Sequence, residues 1–393
     1  MEKHKVLVLN KISSHGLKHL PADSYEVSSE LSEPDAIMLR SYDMHTMDIP
    51  ASVHAVARAG AGTNNIPIAA LSQGGIPVFN SPGANANAVK ELVLTGMLMA
   101  ARNLGPALKF VDTLQGDDVS MSKLVEGGKK NFAGVELPGR TLGIIGLGAI
   151  GGLVADTALK LGMRVLGYDP AISVDSAWRL SSQVKRAHSV EDLIKHSDFV
   201  TLHVPLIDAT KHLMNAERLA LMKHSAVLLN FSRQGIVEEQ AVTAALDAKK
   251  LHSYICDFPS NTLKGHEHVV ALPHLGASTR EAEDNCAVMV AEQLRDYLEN
   301  GNISNAVNFP NVQMNRESEH RLAIANANAP NLLAQISTAM AAAGLNIHNM
   351  VNKSRGDMAY SLVDLDSAVP TKVLDQLRNI EGVLSVRALP LAC

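Results

Sequence analysis

The sequence has few cysteines, no long apolar run and no extended basic stretch. Cys256, Cys286 and Cys393 are widely spaced and form no Cys-x-x-Cys motif or Cys/His cluster. Neither a disulfide framework nor a zinc site is therefore indicated, and reduced thiols are expected. No apolar segment is long enough to cross a membrane, and the N-terminal apolar run is too short for a signal peptide. These absences predict a soluble, cytoplasmic protein without a metal centre.

The charged residues are mixed in sign and scattered along the chain. The formal net charge is −5, and Lys and Arg never form a run longer than two residues. This pattern argues against nucleic acid or another polyanion as a partner and favours small molecules. A chain of 393 residues with 46% hydrophobic residues is too long for one compact core, so two or three domains are expected.

The strongest local signal is the stretch GRTLGIIGLGAIGGLVADTALKLGMRVLGYDP, residues 139–170. An apolar strand, Thr141 to Ile145, runs into a glycine-rich turn and an amphipathic helix that extends to Leu161. A second strand, Arg164 to Tyr168, follows and is closed by Asp169. This order of strand, glycine turn, helix, strand and acidic residue predicts a dinucleotide-binding βαβ unit.

Each glycine of the turn has a separate task. Gly146 permits the tight bend, Gly148 lets a pyrophosphate approach the backbone, and Gly151 lets the helix pack closely on the strand. The phosphates are then expected at the helix N-terminus. Asp169 stands where a carboxylate accepts the ribose hydroxyls of NAD and repels a 2′-phosphate, so NAD rather than NADP is the predicted cofactor.

Strand and helix patterns alternate on both sides of this unit, which predicts parallel sheets. Before the unit, strands are predicted at Lys5 to Leu9, Ala36 to Leu39, Ala55 to Ala59 and Pro77 to Asn80, followed by a helix from near Asn87. After it, strands are predicted at Phe199 to Val204, Ala226 to Phe231, Ser253 to Asp257 and Val269 to Leu272, with helices between them. The predicted fold class is α/β, with two Rossmann-like or flavodoxin-like parallel-sheet domains.

The C-terminal part has a different pattern. An Asn-rich linker, GNISNAVNFPNVQMN, follows a helix predicted from Ser278 to Asn300, and from Ser318 onward the order is βαββαβ. That order is typical of a split-βαβ module. Because the module contains no cluster of candidate nucleophiles or bases, regulation or assembly is its expected role.

Seven short motifs occur in an order that resembles one enzyme family. They are Arg58-Ala-Gly-Ala-Gly, Asn80-Ser-Pro-Gly, the glycine motif with Asp169, His203-Val-Pro, Asn230-Phe-Ser-Arg233-Gln-Gly, Asp257-Phe-Pro and Pro273-His274-Leu-Gly-Ala-Ser-Thr. Together they resemble the D-isomer-specific 2-hydroxyacid dehydrogenases. The likeness spans the whole chain, because short members of this family carry a C-terminal ACT domain, which is a βαββαβ module.

The resemblance also implies a domain organisation. It assigns residues 1–95 and 285–310 to a discontinuous substrate-binding domain, residues 96–284 to an NAD-binding Rossmann domain, and residues 318–393 to an ACT-like regulatory or assembly domain. The chain crosses twice between the first two domains, which makes a hinge. Substrate and nicotinamide are expected to meet in a cleft that closes over them.

Two residues are predicted to be catalytic. Arg233 follows a predicted strand, so its guanidinium fork is expected at the strand's carboxyl end, where it can grip a substrate carboxylate and the C2 oxygen. His274 also follows a strand, and the resemblance implies that it takes the hydroxyl proton as hydride leaves C2. Without these contexts, a turn arginine is a surface residue and a lone histidine is more often structural.

The acidic partner of that histidine is missing. Family members have the pattern Asp-x-Phe-x-x-Glu-Pro, in which the Glu pairs with the histidine, whereas this chain has Asn261 or Thr262 near that position. An amide can orient an imidazole without raising its pKa as a carboxylate does. Glu267 is an alternative partner from an exposed loop, and the sequence leaves the choice open.

The remaining site residues follow from the motifs. Arg40 and Arg58 lie at predicted strand ends and are expected to bind a doubly anionic substrate, helped by backbone approach at Gly60 and by Asn80; Lys129 and Lys130 are further candidates. The resemblance implies a cofactor site made of Ser81, Gly146, Gly148, Ala149, Ile150, Gly151, Asp169, His203, Pro205, Ser232, Asp257 and Gly276.

The leading functional hypothesis is NAD-dependent oxidation of 3-phospho-D-glycerate to 3-phosphohydroxypyruvate, the first step of L-serine biosynthesis. One alternative is the same chemistry on another 2-hydroxy acid, such as glycerate or glyoxylate. The other is a dinucleotide-sensing interaction protein, because this fold is also used to bind partners. A homodimer or homotetramer is expected, with no nucleic-acid or membrane partner.

The ACT-like module departs from the pattern of serine-inhibited family members. Asn326 replaces the histidine of their first loop, whereas Asn328 and Asn346 are retained as polar anchors for a small amino acid. Weak or absent inhibition by serine is therefore expected.

Overall fold

The computed structural model describes residues 3–390, and the chain folds into two compact units. One unit contains the chain up to Asn85 together with the chain from Arg280 onward, and the other is the inserted segment Ala86–Thr279. A helix occupies Ala86–Ala101, so the boundary predicted between residues 95 and 96 would cut through it. The second boundary falls at Arg280, where another helix begins.

The N-terminal part of the first unit is a five-stranded parallel sheet in the order β2-β1-β3-β4-β5. Its strands are β1 His4–Leu9, β2 Tyr25–Ser28, β3 Ala36–Leu39, β4 Ala55–Arg58 and β5 Val78–Phe79. Helices α1 (Ser14–Leu17) and α2 (Ile68–Gln73) connect them. All of β3 is buried, as expected for an apolar strand in a sheet covered on both faces.

The inserted unit contains a seven-stranded parallel sheet in the order β12-β11-β10-β9-β6-β7-β8. The strands are β6 Thr141–Ile145, β7 Arg164–Tyr168, β8 Lys185–Arg186, β9 Phe199–Leu202, β10 Val227–Asn230, β11 Ser253–Cys256 and β12 Val269–Ala271. The helices are α3 Ala86–Ala101, α4 Leu104–Thr113, α5 Asp118–Gly128, α6 Ala149–Lys160, α7 Val174–Arg179, α8 Val190–His196, α9 Ala216–Leu219 and α10 Glu239–Asp247. The order of strands reverses between β6 and β9, which is the doubly wound arrangement that binds ligands at the carboxyl ends of its strands.

The chain returns to the first unit through α11, Arg280–Asn300. One face of this helix is buried against the five-stranded sheet, where Val290, Leu294 and Tyr297 share a core with residues of β1, β3 and β4. A helix with this apolar stripe and a charged opposite face is expected to cover a sheet.

The C-terminal module has the predicted βαββαβ order. Its elements are β13 His320–Ala327, α12 Leu332–Ala342, β14 Ile347–Arg355, β15 Met358–Leu365, α13 Thr371–Arg378 and β16 Val383–Pro390. The four strands form an antiparallel sheet in the order β14-β15-β13-β16. The predicted fold class, two parallel-sheet folds and a small βαββαβ module, is confirmed.

This module belongs to the first unit, because it shares one hydrophobic core with the five-stranded sheet. Ala323, Tyr360, Leu362 and Leu389 pack in the same buried cluster as β1, β3, β4 and α11. Gly301, which follows α11 with φ 73°, has no room for a Cβ, since that atom would lie 2.8 Å from Leu362 and Leu389 side chains.

A fully buried ion pair fixes the same junction. Arg321 of β13 donates to both carboxylate oxygens of Asp364 on β15, at 2.6 and 2.9 Å. Its remaining guanidinium hydrogens reach the carbonyl oxygens of Asn300, Met314 and Asn315 at 2.9–3.1 Å. The linker that follows α11 is thereby tied to the C-terminal sheet, and the buried guanidinium has a partner for each of its nitrogens.

Some elements were not predicted from the sequence. Strands β2 and β8 are short. In α4, Leu104, Leu108 and Val111 recur at helical spacing, but this apolar stripe is not buried, and Leu108, like Val119 of α5, is more than half exposed. Among residues 3–390, no helix is both long and apolar enough to span a membrane.

Candidate active site

The glycine turn of the inserted unit is built as the sequence predicts. Gly146 has φ 93°, and a Cβ on it would lie 2.3 Å from the carbonyl oxygen of His203. A Cβ on Gly151 would lie 2.0 Å from the carbonyl oxygen of Gly146. By contrast, a Cβ on Gly148 would meet nothing within 4 Å, so the structure leaves open space at the position predicted to face the pyrophosphate.

Asp169 holds this turn from the end of β7. Its carboxylate accepts the backbone N–H of Leu147 at 2.8 Å and that of Ala171 at 3.0 Å. Helix α6 begins at Ala149, with Ile150 in its first turn. The carboxylate therefore stands beside the start of α6, where anions are favoured.

His203 lies at the carboxyl end of β9, next to the turn. Its Nε2 lies 3.0 Å from the Thr201 hydroxyl, whereas its Nδ1 is buried without a partner among residues 3–390. Burial lowers the pKa of His203 to about 3, so the ring is neutral at physiological pH. A buried ring nitrogen without a partner is a site for a ligand atom; Pro205 follows it at an exposed position.

The turn that carries Arg233 is organised by Asn230. The Asn230 amide donates to the carbonyl oxygen of Arg233 at 2.9 Å, and its oxygen accepts the backbone N–H of Ser232 at 3.1 Å. The Ser232 hydroxyl donates to the carbonyl oxygen of Leu202 at 2.6 Å, which ties the turn to β9. The Arg233 side chain is exposed, and within residues 3–390 its guanidinium makes one hydrogen bond, from Nη1 to the neighbouring Ser232 carbonyl oxygen at 2.7 Å, so the guanidinium is available to a ligand.

His274 lies in a turn that Asp257 holds in place. His274 has φ 57°, in the left-handed region that residues with side chains seldom adopt. Directly after it, the backbone N–H groups of Leu275 and Gly276 donate to the two oxygens of Asp257 at 2.6 and 2.7 Å. Desolvation raises the pKa of the buried Asp257 carboxyl, and these two hydrogen bonds act in the opposite direction.

Asp257 therefore supports His274, as the missing carboxylate partner would. It does so by fixing the backbone of the turn and not by a hydrogen bond to the imidazole. The His274 ring packs on Phe258, with the ring centroids 5.2 Å apart. The structure contains no hydrogen bond from Asn261, Thr262 or Glu267 to His274 within the described residues; all three are exposed. The prediction that Asn261 or Thr262 orients the imidazole therefore has no support in this structure, because the shortened loop turns at Ser260–Lys264 and keeps these side chains in solvent.

In the first unit, Arg40 and Arg58 lie at the carboxyl ends of neighbouring strands β3 and β4. Asn65 links them, because its side chain accepts from Arg58 Nε at 3.1 Å and donates to the Arg40 carbonyl oxygen at 3.2 Å. Gly60 leaves room for the arginine, since a Cβ there would lie 2.3 Å from Arg58 Nη1. The sequence carried no signal for the role of Asn65, which depends on a contact between two loops.

Arg40 already has an acidic partner. Its Nη1 lies 2.6 Å from Glu283 in the first turn of α11. The sequence did not single out Glu283, because the two residues are far apart along the chain. This pair lowers the positive charge that Arg40 offers to an anionic substrate.

The other predicted residues of the first unit lie on the loop after β5. Asn80 donates to the Ala61 carbonyl oxygen at 2.7 Å, and the Ser81 hydroxyl is buried next to the Cys286 thiol. Burial raises the pKa of that thiol, while the Ser81 hydroxyl, Arg40 and Arg58 act in the opposite direction. In the inserted unit, Lys129 pairs with Glu126 at 2.5 Å on an exposed surface, the ordinary environment of a solvated lysine.

The described residues fit an NAD cofactor. The open space at Gly148, the carboxylate of Asp169 and the unpartnered nitrogen of His203 lie at the carboxyl ends of strands β6, β7 and β9 around the reversal of strand order. This is the place at which doubly wound sheets bind dinucleotides.

Comparison with known proteins agrees with this geometry. Residues 94–276 match the NAD binding domain of the D-isomer specific 2-hydroxyacid dehydrogenases. A D-3-phosphoglycerate dehydrogenase of Escherichia coli K12 is 30% identical over 417 aligned positions, which cover 99% of this chain and 98% of that protein.

Two further comparisons bear on length and fold. A D-3-phosphoglycerate dehydrogenase of Methanocaldococcus jannaschii is 36% identical over 296 residues, 73% of this chain and 54% of that protein, so this chain spans about half the length of that relative. The NAD⁺-bound crystal structure of 3-phosphoglycerate dehydrogenase from Entamoeba histolytica superposes with a TM-score of 0.61 at 25% identity, covering 78% of this chain and 99% of that one. Through its match to the NAD binding domain and its full-length relatives, this chain belongs to the D-isomer-specific 2-hydroxyacid dehydrogenase family.

Proposed function

We propose that this chain oxidises 3-phospho-D-glycerate to 3-phosphohydroxypyruvate with NAD⁺, the entry step of L-serine biosynthesis. The observation that carries the proposal lies in the inserted unit. Arg233 follows β10 and His274 follows β12, and both of these strands pair with β11. The Arg233 guanidinium and the His274 imidazole thus lie at the carboxyl ends of the strands of one sheet. The glycine turn suited to a dinucleotide lies at the same end of that sheet.

The roles of these side chains follow from their chemistry. Arg233 binds the C1 carboxylate and the C2 oxygen and stabilises the polarised C2–O bond. His274 accepts the proton of the C2 hydroxyl through its imidazole, while Asp257 and the Phe258 ring hold the turn in which it lies. Bound NAD⁺ supplies the acceptor for the hydride that leaves C2. In the reverse direction, His274 returns the proton to the C2 oxygen.

A phosphorylated substrate is supported by the first unit. The C3 phosphate needs cations beyond the one that binds the C1 carboxylate, and Arg40 and Arg58 lie together at the ends of β3 and β4. The full-length E. coli relative bears the name of the phosphoglycerate enzyme.

The test measures NADH formation with 3-phosphoglycerate and with glycerate. In the reverse direction, it measures NADH consumption with glyoxylate. Arg233→Lys and His274→Ala should each lose turnover by at least about 100-fold, and both should still bind NAD in a direct titration. Arg179→Lys and His224→Ala replace exposed residues of the same unit and serve as controls. Near-normal turnover by either site variant would refute the assignment.

A second candidate is the same oxidation of an unphosphorylated 2-hydroxy acid. The Arg40–Glu283 ion pair favours it, because Glu283 neutralises one of the two cations meant for the phosphate. Higher kcat/KM with glycerate than with 3-phosphoglycerate would establish this candidate and replace the first. The dinucleotide-sensing alternative requires NAD binding with no turnover of any of these acids.

The C-terminal module is proposed to serve assembly as an ACT-like module with weak or no response to serine. Its candidate anchors are already engaged, since Asn328 donates to the Gly356 carbonyl oxygen at 2.9 Å and Asn346 donates to the Asp366 carboxylate at 2.5 Å. Exposed apolar side chains on α4 and α5, including Leu108 and Val119, support self-association. A monomer by light scattering, or micromolar inhibition by serine, would contradict this part of the proposal.

A further inference from the structure

A cavity of about 620 Å³ lies within the first unit, where the C-terminal module meets the five-stranded sheet. Its walls come from the segment before β4, from α2 and the turn after it, from α11, and from α13 and β16. The lining residues are Ile49, Pro50, Ala51, Val53, His54, Ala70, Leu71, Gly74, Ile76, Tyr297, Arg378, Leu384, Ser385, Val386 and Arg387. The volume is within the usual range of small-molecule sites.

The lining of this cavity combines apolar and polar groups. Ile49 and Ile76, with Leu384 of the module, form an apolar wall of partly exposed side chains, whereas Val53 and Leu71 are buried in the core behind it. The polar side is formed by His54, from the segment before β4, and by Arg378, Ser385 and Arg387 of the module. An apolar wall together with a few polar groups is typical of a ligand site.

The polar side carries positive charge without acidic residues in the lining. The Arg387 guanidinium lies 4.6 Å from the Tyr297 ring centroid and donates to the Leu298 carbonyl oxygen at 3.1 Å. Within residues 3–390 it has no carboxylate at ion-pair distance, whereas Arg378 pairs with Asp375 at 3.0 Å. The pKa of His54 is lowered to about 4, chiefly by burial and also by Arg387, so this histidine adds a neutral donor or acceptor.

We propose that this cavity is an effector site for a small monocarboxylate with a branched apolar body. The carboxylate binds Arg387 and Arg378, and the apolar body lies against Ile49, Ile76 and Leu384. An amino acid is disfavoured, because no acidic side chain lines the cavity to pair with its ammonium group. Inorganic phosphate is disfavoured because it would leave the apolar wall unfilled.

The cavity also contacts the segments that lead to the substrate residues. Residues 49–54 run into β4, which ends at Arg58, and the turn after α2 runs into β5, which leads to Asn80 and Ser81. That turn presses directly on β16: a Cβ on Gly75 would lie 2.9 Å from Leu384 Cβ. A ligand here therefore alters substrate affinity, an effect that rests on the proposed function and must be reciprocal.

The binding test uses calorimetry with 4-methylpentanoate as the probe. Binding is expected for the carboxylate, with little for its neutral amide, for leucine or for inorganic phosphate. Arg378→Gln should weaken it about tenfold or more, as expected for the loss of a charge-assisted hydrogen bond. Arg387→Gln should also weaken binding about tenfold or more. Arg387→Lys keeps the positive charge, so it should retain part of the affinity if Arg387 acts through its charge and not by supporting the fold.

Arg233→Lys is the control that separates this cavity from the candidate active site, and it should leave the affinity for 4-methylpentanoate unchanged. Equal binding of the amide, or full affinity in both Arg378→Gln and Arg387→Gln, would overturn the site. A probe that binds without changing the KM for 3-phosphoglycerate would overturn the coupling alone. Failure of the chain to oxidise 3-phosphoglycerate would refute the proposed function and leave the binding result standing.

Discussion

At the scale of single residues, Asp257 has the least expected role. The motif identified it as a cofactor residue, but both of its oxygens accept backbone N–H groups from the turn behind His274. In Asp257→Asn, the amide NH₂ would face one of these N–H donors, so the turn should lose one hydrogen bond. We expect His274 then to leave its left-handed backbone conformation. We expect NADH formation to fall by about 100-fold or more and the free energy of unfolding by about 1–3 kcal/mol.

Asp112→Asn provides the matched control, because Asp112 is exposed on α4. Steady-state kinetics and urea unfolding of both variants decide the matter. Wild-type turnover in Asp257→Asn would show that the turn does not depend on this carboxylate.

His203 makes stability depend on pH. Its folded pKa is about 3 against an ordinary value of 6.5, so its contribution to stability is complete above pH 6.5. Below that pH, His203 is protonated in the unfolded chain but stays neutral in the folded chain. The free energy of unfolding therefore falls by up to about 1.4 kcal/mol per pH unit until the pH reaches the pKa of His203 in the folded chain. His54, with a pKa of about 4, acts in the same direction.

The measurement is urea unfolding between pH 7 and pH 4. His203→Gln should reduce the steepness of the decline by up to one proton, whereas His224→Gln, at an exposed position, should leave it unchanged. Identical slopes in all three proteins would mean that His203 is protonated as easily in the folded state as in the unfolded state.

At the scale of elements, substitutions in the glycine turn can separate effects on the free energy of unfolding from effects on NAD binding. Gly148→Ala meets no atom within 4 Å, so its unfolding free energy should change by less than about 0.5 kcal/mol, while its methyl group occupies the space meant for the pyrophosphate and weakens NAD binding. Gly151→Ala places a Cβ 2.0 Å from the Gly146 carbonyl oxygen and should lower both stability and binding.

Gly152→Ala is the control in the same helix turn, because its Cβ would meet only Leu180 at 3.8 Å. NAD titrations and thermal unfolding of the three variants test the assignment. If Gly148→Ala binds NAD as tightly as the wild type does, the pyrophosphate does not lie against Gly148.

The same unit shows how far sequence predicts elements. Strands β6 and β7 were predicted at their observed ends, because a buried parallel strand is a short apolar run with a turn at each end. The region of α4 and α5 was not predicted, although Leu104, Leu108 and Val111 recur there at helical spacing; these side chains remain exposed in the single chain. The positions of Arg233 and His274 at strand ends could be predicted from the chain order. The hydrogen bonds of Asp257 and Asn65 and the ion pair of Glu283 could not, because each joins residues from different turns or elements whose approach is set by the tertiary fold.

At the scale of the whole molecule, the Arg321–Asp364 pair tests how much a buried ion pair inside the C-terminal module contributes to stability. Both side chains are fully buried, and removal of one leaves an uncompensated charge. Arg321→Met should therefore lower the free energy of unfolding by about 3–5 kcal/mol. The double variant Arg321→Met/Asp364→Leu should recover most of this loss, because an apolar pair of similar volume needs no partner.

Urea unfolding of the two variants and the wild type gives the result. Equal loss in the single and the double variant would show that the three hydrogen bonds from Arg321 to backbone carbonyl oxygens, rather than its pairing with Asp364, account for the loss of stability.

The core shared between the first sheet and the C-terminal module also sets an order of events during synthesis. Strands β1, β2 and β3 are made long before Tyr360 and Leu389, and they finish burying their apolar residues only when those two residues have been made. The inserted unit, Ala86–Thr279, has its whole sheet within one continuous stretch and can fold while the rest is still being translated. The N-terminal sheet must wait as an incomplete layer through the synthesis of most of the chain, which makes it the segment that depends most on chaperones in the growing polypeptide.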